Sequence, residues 1–408
     1  MEKAATLSLG ERVVRRNALI LAGAQALVGG AAPVVISIGG LAGVWLLLDD
    51  KSLATLPVTG FNLGIALGAL PAAALMRAVG RRLGFVSGAL VTSTGGLVAT
   101  LALFGGNFWL FALALLLIGV GGAFTQQYRF AATDGASRTY QPRAIGIVLA
   151  GGILAAVIGP QTVRLTDGLF LPVNFAGAFV GVIILGILGA GILTFLRIPD
   201  GPEETHPDDA IPARPLSEIV AQPRFLVALL CGVGTYGVMS FVMTGAPLAI
   251  VGCGLSQDVA VLGIQWHVLA MFGPSFFTGR LIARFGREVI VATGLLLLAA
   301  SGGIFMAGLA VWNFWIGLAL LGLGWNFGFI GATAMVAETY RPAEKNKTQG
   351  AHDFVLFSTV AFASFMSGRT FVAAGWEAMN VVIFPIVTLC LVALVVQSRF
   401  APRTQPRA

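Results

Sequence analysis

The stretch LMRAVGRR occupies residues 75–82, and a near copy of it, LIARFGRE, occupies residues 281–288. Each stretch ends a long apolar run, and the glycines Gly80 and Gly286 are 206 residues apart (286 − 80). Two further pairs of similar segments have nearly the same separation: Gly119-Val120-Gly121 with Gly322-Leu323-Gly324, and Thr139-Tyr140 with Thr339-Tyr340. The repetition indicates two full-length halves with one architecture.

The composition excludes a soluble globular protein. Of the 408 residues, 57% are hydrophobic and only 11% are charged, and the mean hydropathy is +0.89. A soluble domain carries about 25% charged residues, so this chain lacks the side chains for a water-facing surface. The 54 glycines favour close approach of helices within a bilayer. The net charge of +7 is spread along the chain, which argues against nucleic-acid binding.

Twelve apolar segments are long enough to cross a membrane, since a spanning helix needs about 20 residues. The first is long enough to be tilted or broken, and it exceeds the core of a signal peptide, about 7–15 residues, so we expect no cleavage. We predict spans at 17–46, 53–76, 83–105, 107–133, 144–165, 171–197, 225–251, 258–282, 289–308, 311–336, 351–372 and 376–398.

The basic residues predict which side of the membrane each loop faces. When both termini and the even-numbered connections share one side, all but three of the 25 lysines and arginines fall on it or in the adjoining span ends. The exceptions are Lys51, Arg164 and Arg369, expected at the outer rim. Lysine and arginine accumulate in cytoplasmic loops, so we expect a multi-pass protein of the cell inner membrane with both termini in the cytoplasm.

One polar, proline-containing stretch, Pro199 to Pro223, interrupts the apolar pattern near the middle of the chain. We interpret it as a linker. The predicted domains are an N-terminal six-helix bundle at 1–198, a cytoplasmic linker at 199–223 and a C-terminal six-helix bundle at 224–408. Duplicated apolar half-chains are typical of secondary transporters, whose substrate site lies between the repeats near the bilayer midplane.

The repeated loop resembles a signature of the major facilitator superfamily, Gly-x-x-x-Asp-Arg-x-Gly-Arg-Arg/Lys between spans two and three. Residues 279–287 follow that pattern with Ala283 at the position of the acid, and the first half has Arg77 there. The resemblance implies the all-α integral membrane fold of that family, with twelve transmembrane helices in two pseudo-symmetric six-helix bundles. It further implies a conformational loop motif consisting of Gly80, Arg81, Arg82, Gly279, Arg284, Gly286 and Arg287.

The resemblance also suggests a function, a secondary active transporter that moves a small organic solute by alternating access. Gly146, Gly151, Gly152 and Gly159-Pro160 partly resemble the span-five signature of family antiporters, which favours proton-coupled efflux. Proton-coupled uptake of a polar metabolite or vitamin is the alternative, and the glutamines and asparagine within the spans fit it. Remote alternatives are a non-transporting membrane sensor and an intramembrane enzyme.

His267 is the sharpest candidate for proton or substrate handling, because it lies near the middle of span eight, directly after Gln265 and Trp266. An imidazole titrates near pH 6.5, so it can load and release a proton between two aqueous faces. The competing interpretation is a neutral histidine that donates a hydrogen bond to a neighbouring helix. Gln265 is a second candidate on the same span.

Other polar side chains within the spans are candidates for the substrate or proton pathway, since an ionisable group in a membrane is costly unless it has a purpose or a partner. Arg129 could bind an anionic group or extend to the lipid headgroups. Trp325 and Asn326 could form a ligand wall or pack between helices. Asp353 could gate the cavity or cap a helix. The full set is His267, Arg129, Gln126, Gln127, Trp325, Asn326, Asp353, Gln25 and Gln265.

Several chemistries have no motif here. A phosphate-binding Gly-x-x-x-x-Gly-Lys-Ser/Thr loop does not occur, so ATP-driven transport is not expected. His-Glu-x-x-His, Cys-x-x-Cys and Gly-x-Ser-x-Gly do not occur either, so we expect no enzyme activity, no cofactor and no metal.

Asp134 and Glu338 are expected at the inner surface, paired with nearby arginines. The expected partners are a small-molecule substrate, protons and the lipid bilayer, with the protein acting as a monomer.

Overall fold

A computed structural model describes residues 9–47, 50–136, 140–197, 213–341 and 344–400. Within these ranges the regular structure is helical and contains no strand. The α-helices are α1 Leu9–Val28, α2 Ala31–Leu46, α3 Leu56–Phe104, α4 Phe108–Thr125, α5 Tyr128–Ala131, α6 Gln141–Thr166, α7 Ala176–Leu193, α8 Leu216–Val220, α9 Pro223–Gly252, α10 Gln257–Phe272, α11 Ser275–Phe285, α12 Arg287–Met306, α13 Val311–Ala337, α14 Lys345–Val381 and α15 Ile383–Phe400.

Two glycines divide the longest helices into pairs of spans. The 49 residues of α3 would extend for about 70 Å as one straight helix, more than twice the thickness of the hydrocarbon core. At Gly80 the backbone has φ +83°, and at Gly375 within α14 it has φ +77°. Glycine adopts this conformation without a steric penalty, so each position ends one span and begins the next.

Twelve spans result among the described residues. Nine helical segments are long and apolar enough to cross a membrane, and the bent pair α10–α11 makes a tenth. Two of the nine contain the breaks at Gly80 and Gly375, which raises the number to twelve. The predicted fold class is therefore confirmed. The domain boundaries stay predictions, and most of the predicted linker, residues 199–212, lies outside the described residues.

Four spans are interrupted among the described residues, and the shortest interruption lies in span twelve, at Val382 between α14 and α15. Span one breaks at Gly29 and Gly30, in agreement with the expectation for that long segment. Span four has a short turn between α4 and α5, and span eight bends by 45° between α10 and α11. The bend in span eight was not predicted. It occurs at Pro274, which lacks an N–H group and whose ring cannot fit against the carbonyl one turn earlier.

Glycines allow backbone-to-backbone packing inside each half. A methyl group added at Gly119 of α4 would overlap the carbonyl oxygen of Phe61 in α3. In the second half, a methyl group at Gly322 of α13 would overlap the carbonyl oxygen of His267 in α10. The repeated glycines of the sequence therefore lie where two helices touch, as expected for association in lipid, where small residues let backbones approach.

The two ends of the molecule differ in how the halves meet. We call the end that carries Gly80 and Gly286 the basic end, and the other the opposite end. At the opposite end Arg164 of the first half pairs with Asp258 of the second at 3.1 Å. Ion pairs at the basic end instead stay within one half. Among the described residues an ion pair thus joins the halves at the opposite end, and none joins them at the basic end.

Candidate functional site

A cavity of about 970 Å³, counting its open mouth, lies between the two halves. Spans of both halves form the wall, so rocking of one half against the other would change its access. The described wall contains no charged side chain. Such a surface suits a neutral solute with hydrogen-bonding groups.

Three amides give the first half its polar wall. Gln25 lies in α1 one turn before the break at Gly29, and Asn62 lies in α3. Gln126 caps α4, where its backbone N–H donates to the carbonyl oxygen of Gly122 at 3.2 Å and its side chain remains exposed. Each amide offers both donors and an acceptor to a solute. Gln25 and Gln126 are thus predicted site residues that do line the cavity.

The second half contributes an aromatic and methionine wall. Tyr236 lines the cavity from α9 and makes edge contacts with Trp325 and Phe329, at centroid distances of 5.3 and 5.1 Å. Trp325 stacks on Phe329 at 5.1 Å and is nearly buried, so it supports the wall from behind. Methionines adapt to flat ring surfaces because their side chains are flexible and polarisable. Those in the wall are Met239, Met243 and Met271.

His267 lies behind this wall. Its side chain is fully buried, and Nδ1 donates to the carbonyl oxygen of Leu318 in α13 at 2.8 Å. Nε2 has no hydrogen-bond partner among the described residues. The next residue, Val268, lines the cavity, whereas His267 itself does not. The imidazole therefore joins α10 to α13, and its role in proton transfer stays a prediction.

Asn326 connects α13 to the bend in span eight. Its Nδ2 donates to the carbonyl oxygen of Met271 at 2.6 Å and to the hydroxyl of Ser275 at 2.8 Å. Its Oδ1 accepts a hydrogen bond from Thr278 at 2.6 Å. The side chain is fully buried. Of the two interpretations open from the sequence, the structure matches a hydrogen-bonded contact between helices.

The remaining candidates lie toward the ends. Arg129 is exposed near the basic end, with its guanidinium carbon 4.8 Å from the ring centroid of Phe130, and Gln127 is half-buried beside it. Asp353 is exposed at the same end and accepts a hydrogen bond from Nδ1 of His352 at 3.0 Å. Arg129 and Asp353 belong to different halves and interact electrostatically without forming an ion pair.

Gln265 lies near the opposite end rather than on the cavity wall. Its Oε1 accepts a hydrogen bond from Nε2 of Gln161 at 2.8 Å. Thr59 donates to Ser364 at 3.4 Å in the same region. Gln161 and Thr59 belong to the first half, so these bonds join the halves where the structure is closed.

The loop motif has an acid in both halves, although not at the position that the family signature gives. Arg81 pairs with Asp134 at 2.7 Å, and Arg287 pairs with Glu338. The predicted pairing of these two acids with nearby arginines is confirmed. Burial raises the pKa of Asp134, and the charge of Arg81 opposes that shift. The other motif residues Arg82, Gly279 and Arg284 are exposed.

Sequence reasoning did not identify Tyr236 or the methionines as cavity residues. The available signal was weak, a single tyrosine between Thr235 and Gly237 in an otherwise apolar span. Methionine and phenylalanine side chains occur facing lipid, a neighbouring helix or a cavity, so the residue type does not predict which of these a side chain faces. Among the described residues no cluster of three or more histidines, cysteines or acids could hold a metal ion.

The sequence profile of the Major Facilitator Superfamily matches residues 17–275, more than half of the chain. The chain belongs to the major facilitator superfamily. It is 50% identical over 386 residues to the riboflavin transporter RfnT of Brucella anthropi, a match that covers 94% of this chain and 96% of that protein. It is 29% identical over 406 residues to the uncharacterized MFS-type transporter YdeG of Bacillus subtilis, covering 94% and 92%.

Solved structures agree on the fold of this major facilitator protein. A bacterial homologue of the human lysosomal transporter Spinster superimposes with a TM-score of 0.69 at 15% identity, covering 97% of this chain and 98% of that one. An auto-inhibited peptide transporter of the POT family gives a TM-score of 0.66 at 13% identity, covering 96% and 98%. The match to the family model and the 50% identity to a transporter confirm the predicted family and the predicted function as a secondary transporter of a small solute.

Proposed function

We propose that this chain transports riboflavin through the cavity between its halves. One observation carries the proposal: an uncharged cavity with amides on one wall and aromatic and methionine side chains on the other, in a chain 50% identical over 94% of its length to a riboflavin transporter. On this proposal the protein is a carrier and not an enzyme, and it acts as a monomer.

The chemistry of riboflavin matches the two walls. The molecule is neutral, with a flat three-ring system and a hydroxylated chain. Tyr236, Phe272 and the wall methionines offer surfaces for stacking on the ring. Gln25, Asn62 and Gln126 offer donors and acceptors for the ring edge or the hydroxyls. An uncharged wall avoids leaving a buried ion without a partner when the solute is absent.

Uptake of this vitamin is the direction that we propose, in preference to efflux. The efflux prediction depended on a partial glycine signature in span five, whereas the vitamin alternative now has a close relative in its support. By the positive-inside rule the basic end faces the cytoplasm, both termini lie there, and the membrane is the bacterial inner membrane. Contacts join the halves at the opposite end, which on this proposal faces outward, so the state seen here suits release into the cell.

We further propose proton coupling. His267 has an Nε2 without a partner among the described residues and precedes the wall residue Val268, and Asp353 lies exposed beside His352 at the basic end. If His267 carries the coupling proton, His267→Ala reconstituted in vesicles abolishes accumulation driven by a proton gradient but leaves exchange of riboflavin intact. Unchanged gradient-driven accumulation would remove His267 from the coupling pathway.

The proposed substrate is tested by accumulation of labelled riboflavin in cells that neither make nor otherwise import it. Expression of the chain raises the riboflavin content if it imports, and lowers it if it exports. Gln126→Ala removes a cavity amide, and one lost hydrogen bond of about 0.5–1.5 kcal/mol weakens riboflavin binding roughly 2- to 10-fold.

Gln127→Ala is the matched control, since the neighbouring glutamine is not part of the cavity wall. It should bind and transport like the wild type. Transport of no flavin by a folded wild-type protein would refute the substrate. Equal losses in the two glutamine variants would refute the proposed binding position.

A further inference from the structure

A second pocket lies at the basic end, apart from the transport cavity, with which it shares no wall residue. Its volume is about 790 Å³, counting the open side. We call it the arginine pocket, because three of its six wall residues are arginines, which come from α1, from the part of α3 just after the kink at Gly80 and from the segment after α7. The wall consists of Arg16, Ile20, Arg82, Thr194, Phe195 and Arg197.

The three arginines are exposed and make no ion pair with any acid among the described residues. Backbone contacts hold the pocket together instead. Arg16 donates to the carbonyl oxygen of Phe195 at 2.9 Å, and Nδ2 of Asn17 donates to the carbonyl oxygen of Arg197 at 2.6 Å. The site therefore combines a fixed backbone with three cations that lack a counter-ion in the described structure.

The second half shows what the pocket lacks. Arg224 lies in the first turn of α9, and Arg16 lies in the first half of α1, 208 residues earlier (224 − 16). Glu288 lies 206 residues after Arg82 (288 − 82). Arg224 pairs with Glu288 at 3.2 Å and with Glu338. Arg82 of the first half occupies the position of Glu288 in the second half. The first half therefore has an additional cation where the second half has the Arg224–Glu288 ion pair.

The surroundings of the pocket place it at a lipid boundary. Leu19, Leu83 and Phe195 each leave more than half of their surface exposed beside the arginines. Exposed apolar side chains next to exposed cations are expected where the hydrocarbon core meets the headgroups. Basic pockets between spanning helices at this depth suit anionic headgroups, and guanidinium groups bind phosphate oxygens in a two-pronged geometry.

We propose that the arginine pocket binds the phosphate of an anionic phospholipid headgroup. The lipid supplies the negative charge that Glu288 supplies in the second half, and it thereby fixes the first half of α1 against the helical residues after Gly80. The shared chemistry is phosphate, which a free phosphate ion also has, so the test separates the two sources.

Native mass spectrometry of the full-length protein counts bound lipids during titration with phosphatidylglycerol, phosphatidylcholine or inorganic phosphate. We expect preferential binding of phosphatidylglycerol. Arg82→Gln should weaken this binding about fivefold, the contribution of one basic side chain near a charged membrane surface. Arg82→Glu introduces the acid of the second half, so it should abolish the preference while leaving the thermal unfolding temperature unchanged.

Arg280→Gln is the matched control, an exposed arginine near the basic end of the second half outside the pocket. It should bind like the wild type. Equal binding of both lipids by the wild type, or equal weakening by Arg280→Gln and Arg82→Gln, would overturn the proposal. Displacement of phosphatidylglycerol by an equal concentration of inorganic phosphate would overturn the lipid as the source. If Arg82→Gln fails to fold, Arg16→Gln decides by the same criteria.

Discussion

The ion pair between Arg164 and Asp258 should shift the balance between the two access states. It joins the halves at the opposite end, where Nε of Arg164 lies 3.1 Å from Oδ1 of Asp258. Arg164 also donates to Gln161 at 3.3 Å, and Gln161 in turn donates to Gln265 at 2.8 Å. The Arg164–Asp258 pair and the Gln161–Gln265 bond join the two halves and exist only while the opposite end is closed, so their loss favours the state that is open there.

The size of the effect follows from exposure. The side chains of Arg164 and Asp258 are 38% and 61% exposed, so the pair is screened by solvent. Exposed ion pairs contribute about 0.2–1 kcal/mol. Because a ligand-free two-state equilibrium changes by a factor of ten for each 1.4 kcal/mol, Arg164→Gln should raise the population open at the opposite end roughly 1.4- to 5-fold.

Thiol labelling from outside the membrane measures that population. Ser364 is fully buried at the closed end and becomes a reporter as Ser364→Cys. The exposed native Cys253 is replaced by serine, whereas Cys231 and Cys390 are buried. Arg164→Gln and Asp258→Asn should each speed labelling by an impermeant maleimide, and the charge-exchanged pair Arg164→Asp with Asp258→Arg should restore the original rate. Unchanged labelling in both single variants would show that this pair does not hold the closed end.

Three further variants test packing and charge by thermal unfolding of the purified protein. Gly119→Ala should destabilise by about 1–3 kcal/mol because a methyl group overlaps a neighbouring backbone, whereas Gly146→Ala, which faces open space, should not. Asn326→Ala should cost about 1–3 kcal/mol because it removes three hydrogen bonds made by a fully buried amide. Hydrogen bonds from Arg214 hold the pKa of the Glu344 carboxyl well below its usual value of 4.5. Glu344→Gln should therefore lower the unfolding temperature at pH 7. The difference in unfolding temperature between this variant and the wild type should narrow as the pH falls below 4.5.

Much of the fold could be predicted from the sequence because membrane helices obey simple constraints. Span length, basic loops and the repeat around Gly80 and Gly286 fixed twelve spans in two halves, and each predicted span overlaps an observed helix. The bend at Pro274 was missed, since proline is tolerated within many straight membrane helices and its effect depends on the neighbours. The break at Gly375 lay between two predicted spans and agrees with them.

The site was harder to predict because a single sequence does not show which face of a helix meets the cavity. Gln25 and Gln126 were predicted and do line it. Asn326 and His267 instead form hydrogen bonds to backbone carbonyl oxygens of neighbouring helices. A buried polar side chain can find its hydrogen-bond partner in an adjacent helix as well as in a solute. Tyr236 was missed because an aromatic residue in an apolar span fits lipid, core and cavity alike.

Exchange of riboflavin across reconstituted vesicles tests the central claim most directly. Vesicles preloaded with unlabelled riboflavin should take up labelled riboflavin in a saturable, protein-dependent way, because alternating access exchanges solute without a proton gradient. Gln126→Ala should need a higher concentration for half-maximal exchange, and Gln127→Ala should match the wild type. Entry at the rate of protein-free vesicles, with a protein that remains folded, would contradict the assignment of this cavity as a riboflavin carrier site.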